Sequence, residues 1–360
     1  DLGNLDAYEV EASVLLFDMG DTRPFVYATR SIPPGSRGAD MLKESFNFHV
    51  WGGNSFMPRD EMLEAVRGAE GLLVFPHDRV DWELLDAAGP QLKVISTMSV
   101  GVDHIDLEEC AKRGVQIGYT PGTASDSVAE FNVALTLAVC RRIKEGIDAV
   151  INGGWGRWEN ALYLSGVEIK ESVIGIAGFG RIGFATAKKL KSFEPSKILY
   201  WDVGSLEYAK EIGAEFASFE ELLQNSDFII VCVSLTDGTR GLFNTETFKK
   251  MKSSAIFINT SRGAVVNQDD LYTALTTGQI RAAGLDVTTP EPLPRDSPLL
   301  SLPNCTISPH IASVSVNTRY AMAELTARNI IAGLKGEKMP APVCMEISES
   351  SSPDKENTRL

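Results

Sequence analysis

The sequence predicts an α/β fold with two Rossmann- or flavodoxin-like parallel-sheet domains and an active-site cleft between them. The chain has 360 residues, a length that favours two domains of ordinary size. Short apolar runs alternate with helical patterns, and this alternation begins twice along the chain, which is typical of parallel sheets wrapped by helices. The second series opens on a glycine-rich loop that directly follows an apolar run.

The first series of elements follows a weakly patterned acidic extension, residues 1–22. Short apolar runs predict its strands, and amphipathic spacing predicts helices between them. The predicted strands are Phe25–Ala28, Phe48–Trp51, Gly71–Phe75 and Leu92–Thr97, and the clearest helices are Arg59–Arg67 and Trp82–Ala88. This domain is expected to cover residues 23–120 and to be completed by residues 316–345.

The second series belongs to a domain expected at residues 121–315. It begins with a long helical pattern from Ala124 to Ala149, which carries Leu, Val and Ile on one side. Further strands are predicted at Val173–Ala177, Lys197–Asp202, Asp227–Val233, Ala255–Thr260, Ala282–Val287 and Asn304–Ser308. A last long helix is predicted from Ser313 to Leu334, and the Ser- and Glu-rich residues 346–360 are expected to be disordered.

The composition, 44% hydrophobic and 23% charged, is typical of a soluble globular protein. No apolar stretch reaches the roughly 18 residues that a membrane helix needs, so no membrane association is expected. The formal net charge of −14 disfavours nucleic-acid binding, because an acidic surface repels phosphate backbones. A small anionic substrate remains compatible with this charge, since the local field can differ from the net charge.

The five cysteines are scattered and show no metal-ligand spacing, so we expect reduced core thiols and no metal site. Reduced thiols indicate a reducing compartment, and a cytoplasmic location is expected. A peroxisomal or other organellar location stays open, because Thr358-Arg359-Leu360 faintly resembles a peroxisomal address. Targeting information could also precede Asp1.

Residues 178–183 match the G-x-G-x-x-G pattern of a dinucleotide-binding loop, placed between a predicted strand and a predicted helix. Gly178 permits the tight turn, and Gly180 lets the backbone approach a pyrophosphate. Gly183 lets the helix pack closely on the strand. A glycine-rich turn without a ligand is the alternative, and the strand-loop-helix context argues against it.

The start of the helix after this loop is expected to hold the phosphates, because it offers free N–H groups and a positive dipole end. The residues expected to line it are Phe179, Arg181 and Ile182. Asp202 ends the next predicted strand, where an acidic residue binds the adenine ribose hydroxyls and repels a 2′-phosphate. The alternative is that Asp202 only caps the segment that follows it.

Three residues with catalytic chemistry each follow a predicted strand of the second domain: Arg262, Glu291 and His310. The imidazole of His310 can give a proton to the oxygen of a ketone that accepts a hydride. Arg262 can hold a carboxylate at two points. Glu291 beside His310 would fix the tautomer of the imidazole and favour its charged form. Each residue alone could be a surface residue, but their shared placement favours one site.

These residues and further motifs resemble the D-isomer-specific 2-hydroxyacid dehydrogenase family, and most closely its glyoxylate reductase/hydroxypyruvate reductase branch. The resemblance runs from about Pro24 to Met339. Its motifs are residues 95–104 (Ile-Ser-Thr-Met-Ser-Val-Gly-Val-Asp-His), 118–121, 152–155, 178–183, 258–263, 284–287, 290–294 and 309–311.

The resemblance implies a role for each matching residue. His310 would be the proton donor, Glu291 its partner, and Arg262 the residue that binds the substrate. The further substrate-binding residues implied are Val100 and Gly101 through their backbone amides, Ser313, and Trp158, which would reach over the active site of a partner subunit. The further cofactor-binding residues implied are Ser234, Thr260, Asp286 and Ala312.

The family assignment implies reduction of small 2-oxo acids, glyoxylate and hydroxypyruvate, to 2-hydroxy acids with NAD(P)H, in a homodimer formed through the coenzyme domain. It also implies that residues 23–120 and 316–345 bind substrate. Asp202-Val203 stands where mammalian members carry a Gly-Arg pair suited to a 2′-phosphate, so NAD(H) is favoured and NADP(H) stays possible. The competing interpretation is an NAD-binding regulatory protein similar to the corepressors that share this fold.

Overall fold

The computed structural model describes residues 21–53, 56–156 and 162–344. The chain divides into two compact units, one formed by residues up to Pro121 together with those from Tyr320 onward, the other by Gly122–Arg319. Each unit contains one parallel sheet. This confirms the prediction of two parallel-sheet α/β domains. Residues 1–20 of the N-terminal extension, Trp158 and the tail 346–360 lie outside the described residues.

The first unit contains a five-stranded parallel sheet with the order β2-β1-β3-β4-β5. Its elements are β1 Phe25–Ala28, α1 Arg37–Ser45, β2 Asn47–Val50, α2 Arg59–Ala65, β3 Gly71–Val74, α3 Trp82–Ala88, β4 Val94–Thr97, α4 Leu107–Lys112 and β5 Gln116–Gly118. The bounds of β1 and α3 are those predicted from the sequence. Strands β3 and β4 are buried along their whole length, which explains their continuous apolar sequences.

Most of the last described helix, α11 Val316–Lys335, belongs to the first unit, which includes the residues from Tyr320 onward. Its Asn329 is fully buried and donates a hydrogen bond to the carbonyl of Tyr119, at 3.0 Å. The same side chain accepts one from the N–H of Ala341, also at 3.0 Å. These hydrogen bonds connect α11 and Ala341 to the segment after β5. They also satisfy the buried amide of Asn329, which would be costly to leave unpaired.

The second unit contains a seven-stranded parallel sheet with the order β12-β11-β10-β9-β6-β7-β8. Its strands are β6 Val173–Ala177, β7 Lys197–Trp201, β8 Glu215–Phe216, β9 Phe228–Val231, β10 Ile256–Asn259, β11 Ala282–Leu285 and β12 Cys305–Ile307. Its helices are α5 Ser125–Cys140, α6 Ile143–Ile151, α7 Arg181–Leu190, α8 Phe219–Asn225, α9 Thr245–Lys249 and α10 Gln268–Thr276.

The prediction of one long helix from Ala124 to Ala149 is wrong, because Arg142 separates α5 from α6. Arg142 has a left-handed backbone with φ +54°. Its guanidinium pairs with the carboxylate of Glu145 in the first turn of α6, through Nε–Oε1 at 2.8 Å and Nη2–Oε2 at 2.6 Å. The chain therefore changes direction at a residue type that gives no turn signal in the sequence.

Hydrophobic cores lie on both faces of the sheet of the second unit, because successive side chains of a strand point to opposite faces. In β9, Ile229 and Val231 belong to one core, and Phe228 and Ile230 belong to the other. This arrangement explains why the strands that were predicted from continuous apolar runs are buried throughout. No helix within the described residues is long and apolar enough to span a membrane.

Candidate active site

The sequence-predicted site residues of the second unit follow neighbouring strands of its sheet. His310 follows β12, Asp286 and Glu291 follow β11, and Arg262 follows β10. The glycine-rich loop follows β6, where the chain order of the strands reverses between β6 and β9. In parallel α/β sheets ligands bind at the carboxyl ends of the strands beside such a reversal. The topology therefore places all these residues along one ligand-binding edge.

Within the glycine-rich loop, the glycines at 178, 180 and 183 meet different surroundings. A Cβ on Gly178, which has φ +90°, would lie 2.7 Å from the backbone of Cys232 and Val233. A Cβ on Gly183 would lie 2.1 Å from the carbonyl oxygen of Gly178. A Cβ on Gly180 would meet nothing within 4 Å. Gly178 and Gly183 thus permit close packing, while the space beside Gly180 leaves room for a ligand to approach the backbone.

Helix α7 begins directly at this loop, with Gly180 as its N-cap and no side chain capping its first turn. Its first N–H groups and the positive end of its dipole are suited to phosphate oxygens. The side chain of Phe179 is fully buried and stacks on Tyr200, with 4.2 Å between the ring centroids. Phe179 thus anchors the loop in the core, and only its backbone can face a ligand.

Asp202 lies beside the glycine-rich loop, one residue after β7. Its Oδ2 accepts a hydrogen bond from the N–H of Phe179 at 2.6 Å, and its Oδ1 accepts one from the N–H of Val203 at 2.7 Å. The hydroxyl of Tyr208 donates to the carbonyl of Phe179 at 2.7 Å, and burial raises the pKa of this phenol. The carboxylate is therefore fixed at the position that the ribose-binding acid takes in dinucleotide-binding folds.

His310 and Glu291 form a hydrogen-bonded pair. The Nδ1 atom of His310 lies 2.8 Å from Oε2 of Glu291, and the two side chains are 26% and 20% exposed. The other carboxylate oxygen, Oε1, accepts a hydrogen bond from the N–H of Thr288 at 2.9 Å. Glu291 is thus held from both sides, and it orients the imidazole so that Nε2 is the nitrogen that remains for chemistry.

Asp286 holds the loop that carries His310. Its carboxylate is buried and accepts hydrogen bonds from the N–H groups of Ile311 at 2.9 Å and Ala312 at 2.8 Å. The hydroxyl of Ser308 donates to the same carboxylate at 2.6 Å. His310 itself has φ +56°, an unfavourable left-handed conformation for a residue with a Cβ. The Asp286 carboxylate therefore brackets a strained residue on both sides.

Arg262 is carried by a tight turn after β10. The side chain of Asn259 accepts a hydrogen bond from the N–H of Ser261 at 3.0 Å and donates one to the carbonyl of Arg262 at 3.0 Å. A Cβ on Gly263 would lie 2.0 Å from the carbonyl oxygen of Thr288. Because Thr288 holds Glu291, this close approach places the Arg262 turn directly against the segment of the histidine's partner.

Sequence reasoning missed a buried polar group that contacts Thr260, one of the predicted cofactor-binding residues. The side-chain oxygen of Asn132, which is fully buried in α5, accepts a hydrogen bond from the hydroxyl of Thr260 at 2.7 Å. Its amide nitrogen donates to the hydroxyl of Thr186 in α7 at 3.0 Å. Asn132 stands in the apolar sequence Phe131-Asn132-Val133, and a polar residue at a predicted core position is the signal that could have identified it.

The remaining predicted site residues have varied surroundings. The carbonyl of Ser234 accepts a hydrogen bond from the hydroxyl of Thr239 at 2.6 Å, and Ser313 is partly exposed. Val100 and Gly101 belong to the other unit, in the loop after β4, where the carbonyl of Gly101 accepts a hydrogen bond from the hydroxyl of Ser99 at 2.6 Å. Trp158 lies outside the described residues.

In chemical terms, the carboxyl edge of the second sheet carries the glycine-rich loop of residues 178–183 and the hydrogen-bonded pair of His310 and Glu291. The backbone around Gly180 and the acidic Asp202 suit the pyrophosphate and ribose of a dinucleotide. The His310–Glu291 pair can deliver a proton, and the neighbouring Arg262 can attract a carboxylate. These groups suit proton-coupled reduction of a carbonyl compound that bears an acid group.

Comparison with known proteins agrees with this chemistry. A family model described as D-isomer specific 2-hydroxyacid dehydrogenase, NAD binding domain, matches residues 133–312. The chain is 50% identical to the Glyoxylate reductase/hydroxypyruvate reductase of Homo sapiens over 317 residues, which cover 88% of this chain and 96% of that protein.

Solved structures show the same architecture. A protein of Thermus thermophilus is 40% identical with a TM-score of 0.82, over 89% of this chain and 100% of that one. An NADPH-dependent glyoxylate/hydroxypyruvate reductase of Sinorhizobium meliloti, solved with NADP and malonate, is 30% identical with a TM-score of 0.78, over 90% of this chain and 98% of that one.

Proposed function

Because the chain belongs to the D-isomer-specific 2-hydroxyacid dehydrogenase family, we propose that it reduces glyoxylate and hydroxypyruvate to glycolate and D-glycerate with NAD(P)H. The observation that carries this proposal is the hydrogen bond of 2.8 Å between His310 Nδ1 and Glu291 Oε2, next to the Arg262 turn. A relative that is 50% identical is named for both substrates, which supports the same substrate class here.

When held at the carboxyl edge of the second sheet, a nicotinamide cofactor would supply a hydride to the α carbon of the 2-oxo acid. His310 gives a proton from Nε2 to the carbonyl oxygen, while Nδ1 stays on the Glu291 carboxylate. That carboxylate stabilises the charged imidazole before the transfer and keeps the ring in position after it. The N–H of Thr288 in turn fixes Glu291, so the proton donor is preorganised.

Substrate binding is assigned to Arg262, whose planar guanidinium can hold the carboxylate at two points and polarise the carbonyl. The backbone N–H groups of Val100 and Gly101 are proposed to complete the carboxylate site, since consecutive amides make a neutral anion-binding site. Ser313, and Trp158 of a second subunit, are proposed to contact the rest of the substrate.

Cofactor binding is assigned to the glycine-rich loop and the strand ends around it. Gly180, Arg181 and Ile182 would present backbone N–H groups to the pyrophosphate. Gly178 and Phe179, whose N–H groups are bonded to the carbonyl of Trp201 and to the carboxylate of Asp202, would shape the loop around it. Ser234, Thr260, Asp286 and Ala312 would line the nicotinamide end. Asp202 favours NADH over NADPH, because a carboxylate attracts ribose hydroxyls and repels a 2′-phosphate. The relative solved with NADP shows that this family also contains NADP-binding members.

A homodimer formed through the second unit is part of the proposal. Helix α6 buries none of its residues, and Ile143, Ile147, Val150 and Ile151 expose an apolar face at helical spacing, with Ile151 73% exposed. An exposed apolar helix face of this kind indicates that another surface packs on it, and the resemblance points to a second copy of the chain. Sedimentation equilibrium should give a dimer that Ile147→Glu weakens. Val203→Glu, at a fully exposed apolar residue, is the control that should leave the dimer intact.

The test of the proposed function is turnover of glyoxylate and hydroxypyruvate with NADH and with NADPH, followed by the loss of absorbance of the reduced nicotinamide. Chiral analysis should identify the product of hydroxypyruvate as D-glycerate. Binding of NADH without turnover of any 2-oxo acid would instead favour the regulatory alternative. The relatives reported above are named as reductases and give that alternative no support.

A further inference from the structure

Arg30 is a half-buried cation at the carboxyl edge of the first sheet, and it has no hydrogen-bond partner among the residues that the structure describes. It lies two residues beyond β1, and its Cζ is 4.5 Å from the ring centroid of Phe56 and 5.3 Å from that of Phe75. Burial lowers the pKa of Arg30. Across residues 21–53, 56–156 and 162–344, its guanidinium makes neither a hydrogen bond nor an ion pair.

The rings of Phe56 and Phe75 leave the guanidinium of Arg30 able to bind a ligand. Arginine carries five N–H donors in one plane, and stacking on aromatic rings covers the faces of that plane while leaving the donors at its edge. A partly desolvated cation whose donors are unpaired is costly, and an anion at that edge would relieve the cost. Because the rings hold the guanidinium in place, little side-chain entropy remains to be lost on binding.

The nearby carboxylate of Asp78 does not fill this role. Its Oδ2 accepts hydrogen bonds from the hydroxyl of Thr29 and from the N–H of Phe75, the latter at 2.7 Å. Burial raises the pKa of Asp78, although the charge of Arg30 partly offsets this effect. Asp78 therefore organises its own loop and moderates the positive charge without occupying the donors of Arg30. The other titratable group here is His77, whose ring lies 4.5 Å from that of Phe56.

The position of Arg30 in the sheet relates it to the proposed carboxylate site of the same unit. The strand order is β1-β3-β4, and Val100 and Gly101 lie in the loop after β4. Strands are about 4.8 Å apart, so β1 and β4 end about 10 Å apart on one edge. The guanidinium of Arg30 lies 5.3 Å from the ring centroid of Phe75, which follows β3, the strand between β1 and β4. The same edge of the sheet thus carries the Arg30 guanidinium and the Val100/Gly101 amides.

We propose that Arg30 is a specificity-determining residue that binds a second carboxylate, at the far end of a 2-oxo acid whose first carboxylate occupies the Val100/Gly101 amides. This inference rests on the proposed function. It extends the substrate class from glyoxylate, whose only other polar group is the reacting aldehyde, to dicarboxylic 2-oxo acids. The hydrocarbon tail of an acid such as 2-oxobutyrate gains nothing from Arg30, because it carries no hydrogen-bond acceptor.

The decisive comparison is between oxaloacetate and 2-oxobutyrate, which have four carbons each and differ in the terminal carboxylate. Arg30→Met keeps the length of the side chain and removes its charge and donors. It should lower kcat/KM for oxaloacetate at least about tenfold relative to 2-oxobutyrate, through KM, and leave glyoxylate turnover unchanged. Arg30→Lys, which keeps the charge but loses the planar donor edge, should give a smaller loss with the same selectivity.

Arg79→Met is the matched control, because Arg79 is 78% exposed and follows β3 on the same edge. It removes the same charge from the general field without touching the stacked site. Equal losses for oxaloacetate and 2-oxobutyrate in Arg30→Met, or equal effects of Arg30→Met and Arg79→Met, would show that Arg30 acts through stability or field and would overturn the proposal.

A binding measurement separates this inference from the proposed function. Malonate, a dicarboxylate, should raise the Tm of the wild-type protein more than propionate does, and Arg30→Met should abolish the difference. If no 2-oxo acid is reduced but the malonate effect still depends on Arg30, the proposed function fails and the anion site stands. If reduction occurs and malonate acts equally on both proteins, the anion site fails alone.

Discussion

Glu291 links His310 to the backbone of Thr288, because its Oε2 lies 2.8 Å from His310 Nδ1 while its Oε1 accepts the Thr288 N–H at 2.9 Å. The proposed proton donor, His310, is therefore fixed through one carboxylate to the segment that follows β11. The Arg262 turn contacts the same segment, since a Cβ on Gly263 would collide with the Thr288 carbonyl. A substitution in the loop of His310, in the Thr288–Glu291 segment or in the Arg262 turn should therefore disturb the other two.

We expect His310→Asn to bind NADH with nearly wild-type affinity and to lose about 10²–10⁴-fold in kcat, the usual contribution of a positioned acid-base group.

Glu291→Gln should lose less kcat than His310→Asn. Its amide oxygen can still accept a hydrogen bond from His310 Nδ1, but the neutral amide no longer stabilises a charged imidazole. Arg262→Lys should raise KM and lower kcat together. Steady-state kinetics with glyoxylate and fluorescence titration with NADH measure these effects, and full turnover by His310→Asn would disprove the catalytic assignment.

Asp286 is expected to act by positioning His310 as well as by lining the cofactor site. Asp286→Asn places an NH₂ group near the N–H groups of Ile311 and Ala312, so at least one of these donors loses its acceptor. The loop should relax from the left-handed conformation of His310, and the free energy of unfolding should fall by about 1–3 kcal/mol. Denaturant unfolding and kcat should fall together.

Ser308→Ala is the control for this prediction, because it removes the hydroxyl bonds to the same carboxylate and to the Leu285 carbonyl and leaves both loop N–H bonds. It should cost about 1 kcal/mol and leave most of kcat. If Asp286→Asn lowers stability no more than Ser308→Ala and leaves kcat unchanged, the carboxylate does not position the catalytic loop.

Substitutions of Gly183 and Gly180 in the glycine-rich loop should separate an effect on folding from an effect on cofactor binding. Gly183→Ala puts a Cβ 2.1 Å from the Gly178 carbonyl oxygen, so the protein should be strongly destabilised. Gly180→Ala meets no protein atom within 4 Å and should fold with a Tm close to wild type. Its methyl group would nonetheless obstruct the approach of the pyrophosphate, and the Kd for NADH should rise at least about tenfold, or roughly 1.4 kcal/mol. Wild-type NADH affinity in Gly180→Ala would refute the placement of the pyrophosphate.

Strands were predicted well from the sequence where apolar runs are buried on both faces, and the two strands that were missed, β5 and β8, lie at sheet edges. The predicted bounds of Val173–Ala177 are those of β6, which lies inside the seven-stranded sheet. The edge strand β8 has only the residues Glu215 and Phe216, both exposed, and therefore carries no apolar run. The break at Arg142 depends on its ion pair with Glu145 and leaves no glycine or proline signal.

For the site, strand ends predicted which residues share an edge, but not the hydrogen bonds that organise them. His310, Glu291 and Arg262 were singled out because charged or titratable residues a few positions after buried strands are conspicuous. The clamp from Asp286 to the N–H groups of Ile311 and Ala312 depends on backbone direction within a loop, which no residue pattern specifies. The role of Trp158 and the dimer through α6 stay predictions.

Cofactor preference gives the last prediction, and the contacts of Asp202 determine how it is tested. A 2′-phosphate on the ribose would approach this carboxylate, and two unit charges about 4 Å apart repel by roughly 4 kcal/mol at an effective dielectric of 20. Solvent and salt weaken this repulsion, so we expect kcat/KM for NADH to exceed that for NADPH by about tenfold, or roughly 1.4 kcal/mol.

Asp202→Gly would also remove the hydrogen bond to the Phe179 N–H and could disturb the loop. Asp202→Asn is the sharper variant, because its amide oxygen can keep that bond while the charge is lost. It should reduce the NADH preference several-fold with only a small fall in Tm, because the N–H that loses its acceptor, that of Val203, is exposed to water. In the wild type the preference should shrink as ionic strength rises, whereas in Asp202→Asn it should be nearly independent of salt. A wild type that prefers NADPH, or an Asp202→Asn variant with unaltered preference, would show that this carboxylate serves the loop and not cofactor choice.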